Sequence, residues 1–373
     1  MGVCFIKSLS HDTPTPTLPL QGGGGFDHRF PSTCISDEGA SAPQSGPRHQ
    51  RGLALITAML VVAIAATTAA YLSLDQQIWL RQVQNLSDRA QAEVVRSGAL
   101  EWAITILAKD AKDNKTDDLT ENWAKPLPPL VVEGGQVTGL ITDAQAQFNI
   151  NNLVRGGKPS APDIGTFQHL LLSLSIDPNL TDAVVDWIDT DSDTLPYGAE
   201  DLDYLQMKTP YRAANQPLQS VDELRLVRGF TPEIVEKLRP WITALPQPTE
   251  INVNTASKEV LGAVFYTLPA PAIEQIVSQR PFKDPAELAK KIQELAAGKN
   301  IPQAFYGVKS SYFEVTVDTR FGRYQRTTQA LMQRGADDST SRILWHRQRL
   351  PTKMAASDEK PGEKSNTAPD GNI

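Results

Sequence analysis

The reading of this chain turns on Arg51-Gly52 and the run that follows, LALITAMLVVAIAATTAAYLSL, residues 53–74. No charged residue lies between Arg51 and Asp75. The run is close to the ~20 residues an α-helix needs to cross the hydrocarbon core of a bilayer. A buried core helix is the bland alternative, but a soluble helix of this length normally keeps a polar face, and this run has none. From Asp75 the chain turns amphipathic without a break. Ile78, Val83, Leu86, Ala90, Val94, Leu100, Ala103 and Leu107 recur at near-helical spacings, with Asp88, Arg89, Glu93, Arg96 and Glu101 between them. One long helix is expected to start in a membrane and continue into water.

Composition narrows the remainder. At 373 residues the chain has room for two or three domains, and its net charge of -7 argues against general nucleic-acid binding. Both cysteines, Cys4 and Cys34, precede Arg51. A chain beginning after Gly52 therefore has no disulfide, and a metal ion is the other common staple of an exported domain.

Residues 1–50 include PTPTLPLQGGGG and show no hydrophobic periodicity. They are expected to be a long leader or sequence upstream of the true start, with the misplaced start favoured. Past the helix, Pro126, Pro128 and Pro129 forbid a regular helix. Leu130–Glu133 and Gln136–Asp143 read as strands joined at Gly134-Gly135, a hairpin signal. Gln145–Leu153 reads as polar and extended. Between Ser160 and about Gly298 come several helix-sized runs, with Ser220, Thr231, Ser257 and Asp284 at N-cap positions and Pro232 and Pro285 in first turns. Tyr312–Val317 and Tyr324–Met332 return to strand character. The expected fold is α+β: a long N-terminal transmembrane and amphipathic helix packed on a small antiparallel sheet, with a large inserted all-helical domain. The expected segments are 1–52 (leader), 53–74 (membrane helix), 75–155 (helix and hairpin), 156–304 (insertion), 305–335 (closing strands) and 336–373 (disordered tail).

One stretch carries chemistry. Asp189, Asp191 and Asp193 lie at alternate positions, and Glu200, Asp201 and Asp203 follow shortly after. Glu200 falls at the twelfth position counted from Asp189, as in an EF-hand loop, although the sixth position is Thr194 rather than glycine and Pro196 interrupts. Carboxylates crowded this closely repel unless a hard cation neutralises them, and calcium is the expected ion. A solvated acidic turn is the metal-free alternative.

His49-Gln50-Arg51-Gly52 set against the apolar run resembles the leader of type IV pilins and type II secretion pseudopilins. The resemblance implies cleavage by a prepilin peptidase between Gly52 and Leu53, with methylation of the new N-terminus. Most members of that group carry a glutamate at the fifth mature position; here it is Thr57. That departure, the helical insertion, and the run DWIDTDSDTLPYGAEDLDYL followed by PYRAANQPLQSVDELRLVRG resemble the K-subunit (general secretion pathway protein K) family of minor pseudopilins. The family implies a single-pass inner-membrane protein with its bulk in the periplasm and structural calcium in the insertion. It also implies partnership with the I and J minor pseudopilins and the inner-membrane secretion platform. A place at the pseudopilus tip, initiating assembly and limiting length, follows from the same resemblance. Helix packing on the partners is expected over Val83–Leu107. A type IV pilus minor pilin would share the leader and helix but not the insertion.

Two other classes fit less well. INVNTASKEVLGAVFYTLPAPAIEQIVSQR resembles a helix-hairpin-helix DNA-binding unit, with SVDELRLVRGFTPEIVEKLRPWI as a looser copy. Its hairpin, Thr267-Leu268-Pro269-Ala270-Pro271, has no glycine, and prolines offer no N–H to a phosphate, so no nucleic acid is expected. For an enzyme, no nucleophile motif or phosphate loop occurs, and His169, on an apolar helix, reads as a packed core histidine.

Overall fold

The computed structural model describes residues 51–296, 298, 304–335 and 341–349; the expectations for 1–50, 336–340 and 350–373 lie outside them. Helix α1 spans Arg51–Asp113. Its apolar stretch has a mean hydropathy of 2.3 and none of it is buried, so it is not the core helix of a soluble fold.

The part of the chain from Tyr71 onward forms its own compact unit. Within it, Ala92, Arg96, Leu100, Ala103, Leu107 and Ala111 are the buried positions of α1. Spacings of three and four put them on one stripe. The stripe packs on a five-stranded sheet: β1 (Leu127–Val132), β2 (Gly135–Asp143), β3 (Tyr312–Phe321), β4 (Tyr324–Arg334) and β5 (Ser341–Arg349), in that spatial order. Every neighbouring pair is antiparallel. Val137, Ile141, Phe313, Val315, Val317, Ala330 and Met332 face α1, and Trp123 packs edge-on to Phe313 with ring centroids 5.2 Å apart. The β1–β2 hairpin closes with Gly134 at φ 80°, the left-handed conformation its turn needs.

β5 corrects the expected tail. Residues 341–349 pair with β4 from Arg334↔Ser341 to Thr327↔Arg349. The run SRILWHRQR looks polar, yet Ile343 reaches the α1-facing core while Leu344 and Trp345 pack on the opposite face. Arg342 and Arg347 donate to Gln333 and Gln329 across the pair.

Asp143 and Phe313 are register partners, so the chain leaves and re-enters the sheet side by side. Everything between them is an insertion with its own core. It starts at residue 144 rather than 156 and ends near 311 rather than 304. The reason is burial: Phe148, Ile150 and Leu153 belong to the insertion core, as does Val308. Gln145–Leu153 is extended only at Phe148-Asn149. That short strand lies between two 3-10 turns, Ala144–Ala146 and Ile150–Leu153, capped by the side chains of Asp143 and Asn149.

The helices of the insertion are α2 (Ala161–Ser173), α3 (Leu180–Ile188), α4 (Asp201–Leu205), α5 (Pro232–Leu238), α6 (Lys258–Val264), α7 (Ala270–Ser278) and α8 (Pro285–Ala296). Their arrangement shows a duplication. Phe148-Asn149 pairs in parallel with Ile242-Thr243, and Ile251-Asn252 pairs in parallel with Tyr306-Gly307. Asn151 gives its amide to Leu218 O (2.9 Å) and accepts Leu218 N–H (2.8 Å). Asn254 does the same with Phe282, at 3.0 and 2.9 Å. One residue on, Gln219 N–H donates to Glu223 and Lys283 N–H to Glu287. Each copy thus clamps a helical hairpin, α2–α3 or α6–α7, with a buried asparagine. The copies differ after the hairpin. α7 passes through Arg280 straight into Pro281-Phe282, whereas α3 reaches Pro217-Leu218 only after the detour 189–216.

Candidate cation site and the anchor of the insertion

The detour holds the acidic residues. Its ends meet where Asn215 N–H donates to Trp187 O at 3.0 Å. Tyr204 of α4 is fully buried edge-on against Trp187, with centroids 5.1 Å apart. The detour is therefore packed into the core of the first copy.

Asp189 is 3 % exposed and Glu200 5 % exposed. Oδ1 of Asp189 has no hydrogen-bond partner, and only backbone N–H groups at the start of α4 are near the Glu200 carboxylate. Burial, then the charges of Asp191 and Asp193, pushes the Asp189 carboxyl up to about 6. Glu200 is raised by burial and next by Asp189. The charges acting on these two are all carboxylates. Asp186 beneath them accepts the Leu195 N–H at 3.1 Å, and burial raises it to about 7. Gly198 lies so close that a Cβ there would sit 1.8 Å from Asp186 Oδ2, so no larger residue fits.

One carboxylate oxygen each from Asp189, Asp191 and Glu200 lie within 4.8 Å of one another. Calcium holds oxygens at about 2.3–2.6 Å, so ligands on opposite sides of one ion are about 5 Å apart. Two buried carboxylates and an exposed one, converging at that spacing with no basic side chain among the charges acting on the buried pair, fit a hard cation. The other three expected ligands do different work. Asp193 is exposed, and its backbone N–H donates to Asp191 at 2.9 Å. Asp201 pairs with Arg212 at 2.6 Å and accepts Ala213 N–H. Asp203 pairs with Arg228 at 3.2 Å and accepts the Glu200 N–H. The EF-hand spacing thus brings together its first, third and twelfth positions and not its fifth.

A second acidic group has no counterpart among the sequence expectations. Asp110, Asp117 and Glu121 also converge within 4.8 Å. Here a cation is built in. Arg334, from β4, makes a two-point pair with Asp117 at 2.8 and 2.5 Å and reaches Asp110 at 3.3 Å. Its guanidinium also donates to Ser310 O. Ser310 N–H donates to Asp117, and Asn252 links Asp117 O (3.0 Å) to Asp143 Oδ2 (2.9 Å). Asp143 further accepts from Ser310 Oγ, Thr255 Oγ1 and Gln145 N–H. Burial raises the Asp143 carboxyl to about 6, with those hydrogen bonds opposing. The network ties α1, the sheet and the second copy together at the point where the insertion leaves the sheet. An arginine at the end of β4 was its only sequence signal.

At the other end of α1, Gly52 and Leu53 lie within the helix. Thr57 donates to Ala54 O at 3.0 Å and brings no charge. His169 is half-buried rather than in the core, stacked on Tyr266 with centroids 3.7 Å apart.

Residues 146–247 and 251–315 match sequence families that are both described as Type II secretion system (T2SS), protein K. The two matches coincide closely with the two copies. A Type II secretion system protein K from Pseudomonas aeruginosa is 34% identical over 305 residues, covering 78% of this chain and 90% of that protein. The Pectobacterium carotovorum protein of the same name is 33% identical, covering 74% and 89%, and that of Aeromonas hydrophila is 31% identical, covering 78% and 95%. Among solved structures, the GspK-GspI-GspJ complex of the enterotoxigenic Escherichia coli type 2 secretion system contains a chain of like fold. The TM-score is 0.63 at 24% identity, over 72% of this chain and 100% of that one.

Proposed function

This chain belongs to the type II secretion system protein K family, and from that premise we propose that it caps the tip of the secretion pseudopilus, initiating its assembly and limiting its length. The observation that carries the reading is the insertion, a duplicated domain with its own core hung from one junction of the β2–β3 pair. A subunit stacking above through its own long helix would have to clear that bulk. Thr57 supports the same reading, since a neutral hydroxyl satisfied within its own helix offers no charge to a neighbour's N-terminal amine. The I and J minor pseudopilins are the proposed partners, because the solved complex of like fold holds proteins of those names. Trp79, Val83, Leu86 and Val94 are exposed large apolar side chains on α1 suited to packing on them. Leu100, Ala103 and Leu107 are not available, being buried on the chain's own sheet.

In this reading the helix anchors in the inner membrane with the folded bulk in the periplasm. A prepilin peptidase cuts between Gly52 and Leu53, and the product is methylated and engages the secretion platform. Asp189, Asp191 and Glu200 hold calcium, which neutralises buried charge and staples the detour. The role is assembly rather than catalysis. The test is to replace residues 144–311 with a short Asn-Gly turn joining Asp143 to Tyr312, and to image pseudopili. Longer filaments containing the shortened chain along their length support the reading. Filaments of unchanged length contradict it.

A further inference from the structure

α1 and β1 leave a groove that the chain does not fill. Its apolar end, ≈ 200 Å³, lies among Trp102, Ile106, Trp123, Leu127, Pro128 and Val317. Past Trp102 and Trp123 it continues into a second cavity of ≈ 550 Å³ that Asp110, Asp113 and Glu121 line against Lys109. A second lysine, Lys125, stands at the apolar end with its ammonium on Asn122 at 3.0 Å. Trp102, between the two ends, is 49% exposed.

We propose that this groove docks a protein segment presenting a large apolar side chain beside a lysine or arginine. Charge complementarity argues for that occupant. Arg334 is committed to Asp117 and Asp110, which leaves Asp113 and Glu121 facing Lys109 alone among the lining charges. Glu121 accepts the Trp123 indole N–H at 2.6 Å, which holds its carboxylate at the joint between the apolar and acidic ends. Burial, and then the neighbouring Asp110 and Asp117, raises its carboxyl to about 7, so a cation arriving there relieves an existing repulsion.

The floor of the groove points the same way. At Gly139 a Cβ would meet Thr316 O at 3.5 Å and Leu127 Cδ2 at 3.9 Å, ordinary contacts. The fold does not require glycine at this place; its effect is to keep the floor open, as does Ala99 on the opposite wall. Pro128 and Pro129 deny an incoming strand their N–H groups, so the segment docks through side chains rather than by extending the sheet.

The test uses the full chain in detergent micelles and a fluorescein-labelled peptide, LLWLRKLA, with LLWLEELA as its control. The basic peptide should bind and the acidic control should not. The Asp113→Asn, Glu121→Gln pair should weaken the basic peptide about tenfold, and Ala99→Leu, which narrows the groove, should weaken it similarly. Neither variant should melt below the parent. Equal binding of both peptides, no binding of the basic one, or affinity unchanged in both variants would overturn the proposal. So would a photo-crosslinker at Thr105 that joins the groove only to the chain's own tail or to a second copy.

Discussion

In the second copy of the insertion, α7 runs through Arg280 into Pro281-Phe282; in the first, α3 reaches the equivalent Pro217-Leu218 only after residues 189–216. The two clamps are otherwise alike, down to the hydrogen bonds of Asn151 and Asn254. Where the second copy has Arg280 closing onto Ala256 O at 2.6 Å, the first has a packed detour bearing buried carboxylates. A connection that merely lengthened would have stayed solvated. This one takes Asp189 and Glu200 out of water with no basic group beside them, a cost of several kcal/mol per charge in the absence of a partner. The anchor at Arg334 shows how the same chain solves that problem with protein groups alone. That contrast is what supports the proposal that the detour takes a cation from outside the chain.

Breaking the protein-built solution should have the largest effect. Arg334→Met leaves Asp117 buried beside Asp110 and should lower unfolding free energy by about 3–5 kcal/mol in denaturant titrations. The clamps come next. Asn151→Ala strips three hydrogen bonds from buried groups and Asn254→Ala two, and they should cost roughly 3 and 2 kcal/mol. Losses in that proportion sharpen the equivalence of the copies, and a loss confined to one of them breaks it. Gly198→Ala touches the first copy only. Its methyl meets the Asp186 carboxylate, and the expected cost is about 1–3 kcal/mol.

The smallest effect concerns Glu121. Its carboxyl lies near 7 in the folded chain against an ordinary 4.5, so the folded state holds the proton more tightly. The resulting stabilisation is full below about 4.5 and is lost as pH rises through about 7. Glu121→Gln keeps an acceptor for Trp123 and removes the titration. Melting temperatures of parent and variant should agree at pH 4.5 and separate by pH 8, the variant higher.

Much of this was readable from the residues. The charge-free run and its amphipathic continuation pointed to α1, and Gly134-Gly135 marked the hairpin, because both signals are local. The insertion was visible as a change from alternation to helical spacing. β5 was not, because Arg, His and Gln on a strand edge look like a solvated tail until their partners on β4 are known. The anchor joins Asp117 to Arg334, which are 217 residues apart, and nothing local announces such a pair. The duplication stands in the sequence as FNIN at 148–151 and INVN at 251–254. It was masked because the detour changes the spacing to the next shared element. The acidic residues stood out, but not which would converge: Asp201 and Asp203 are drawn off by Arg212 and Arg228, charges that lie further along the chain.

The most direct measurement is thermal melting of the full chain in detergent micelles with calcium and with chelator, repeated with Asp189 and Glu200 both changed to Ala. A cation that binds only the folded state at a hundredfold over its dissociation constant adds about 2.7 kcal/mol. The account predicts a rise of roughly 5–10 °C in the parent, absent from the variant. Parent curves that superimpose with calcium and chelator would contradict it, and the detour would then be a buried acidic loop that stands without an ion.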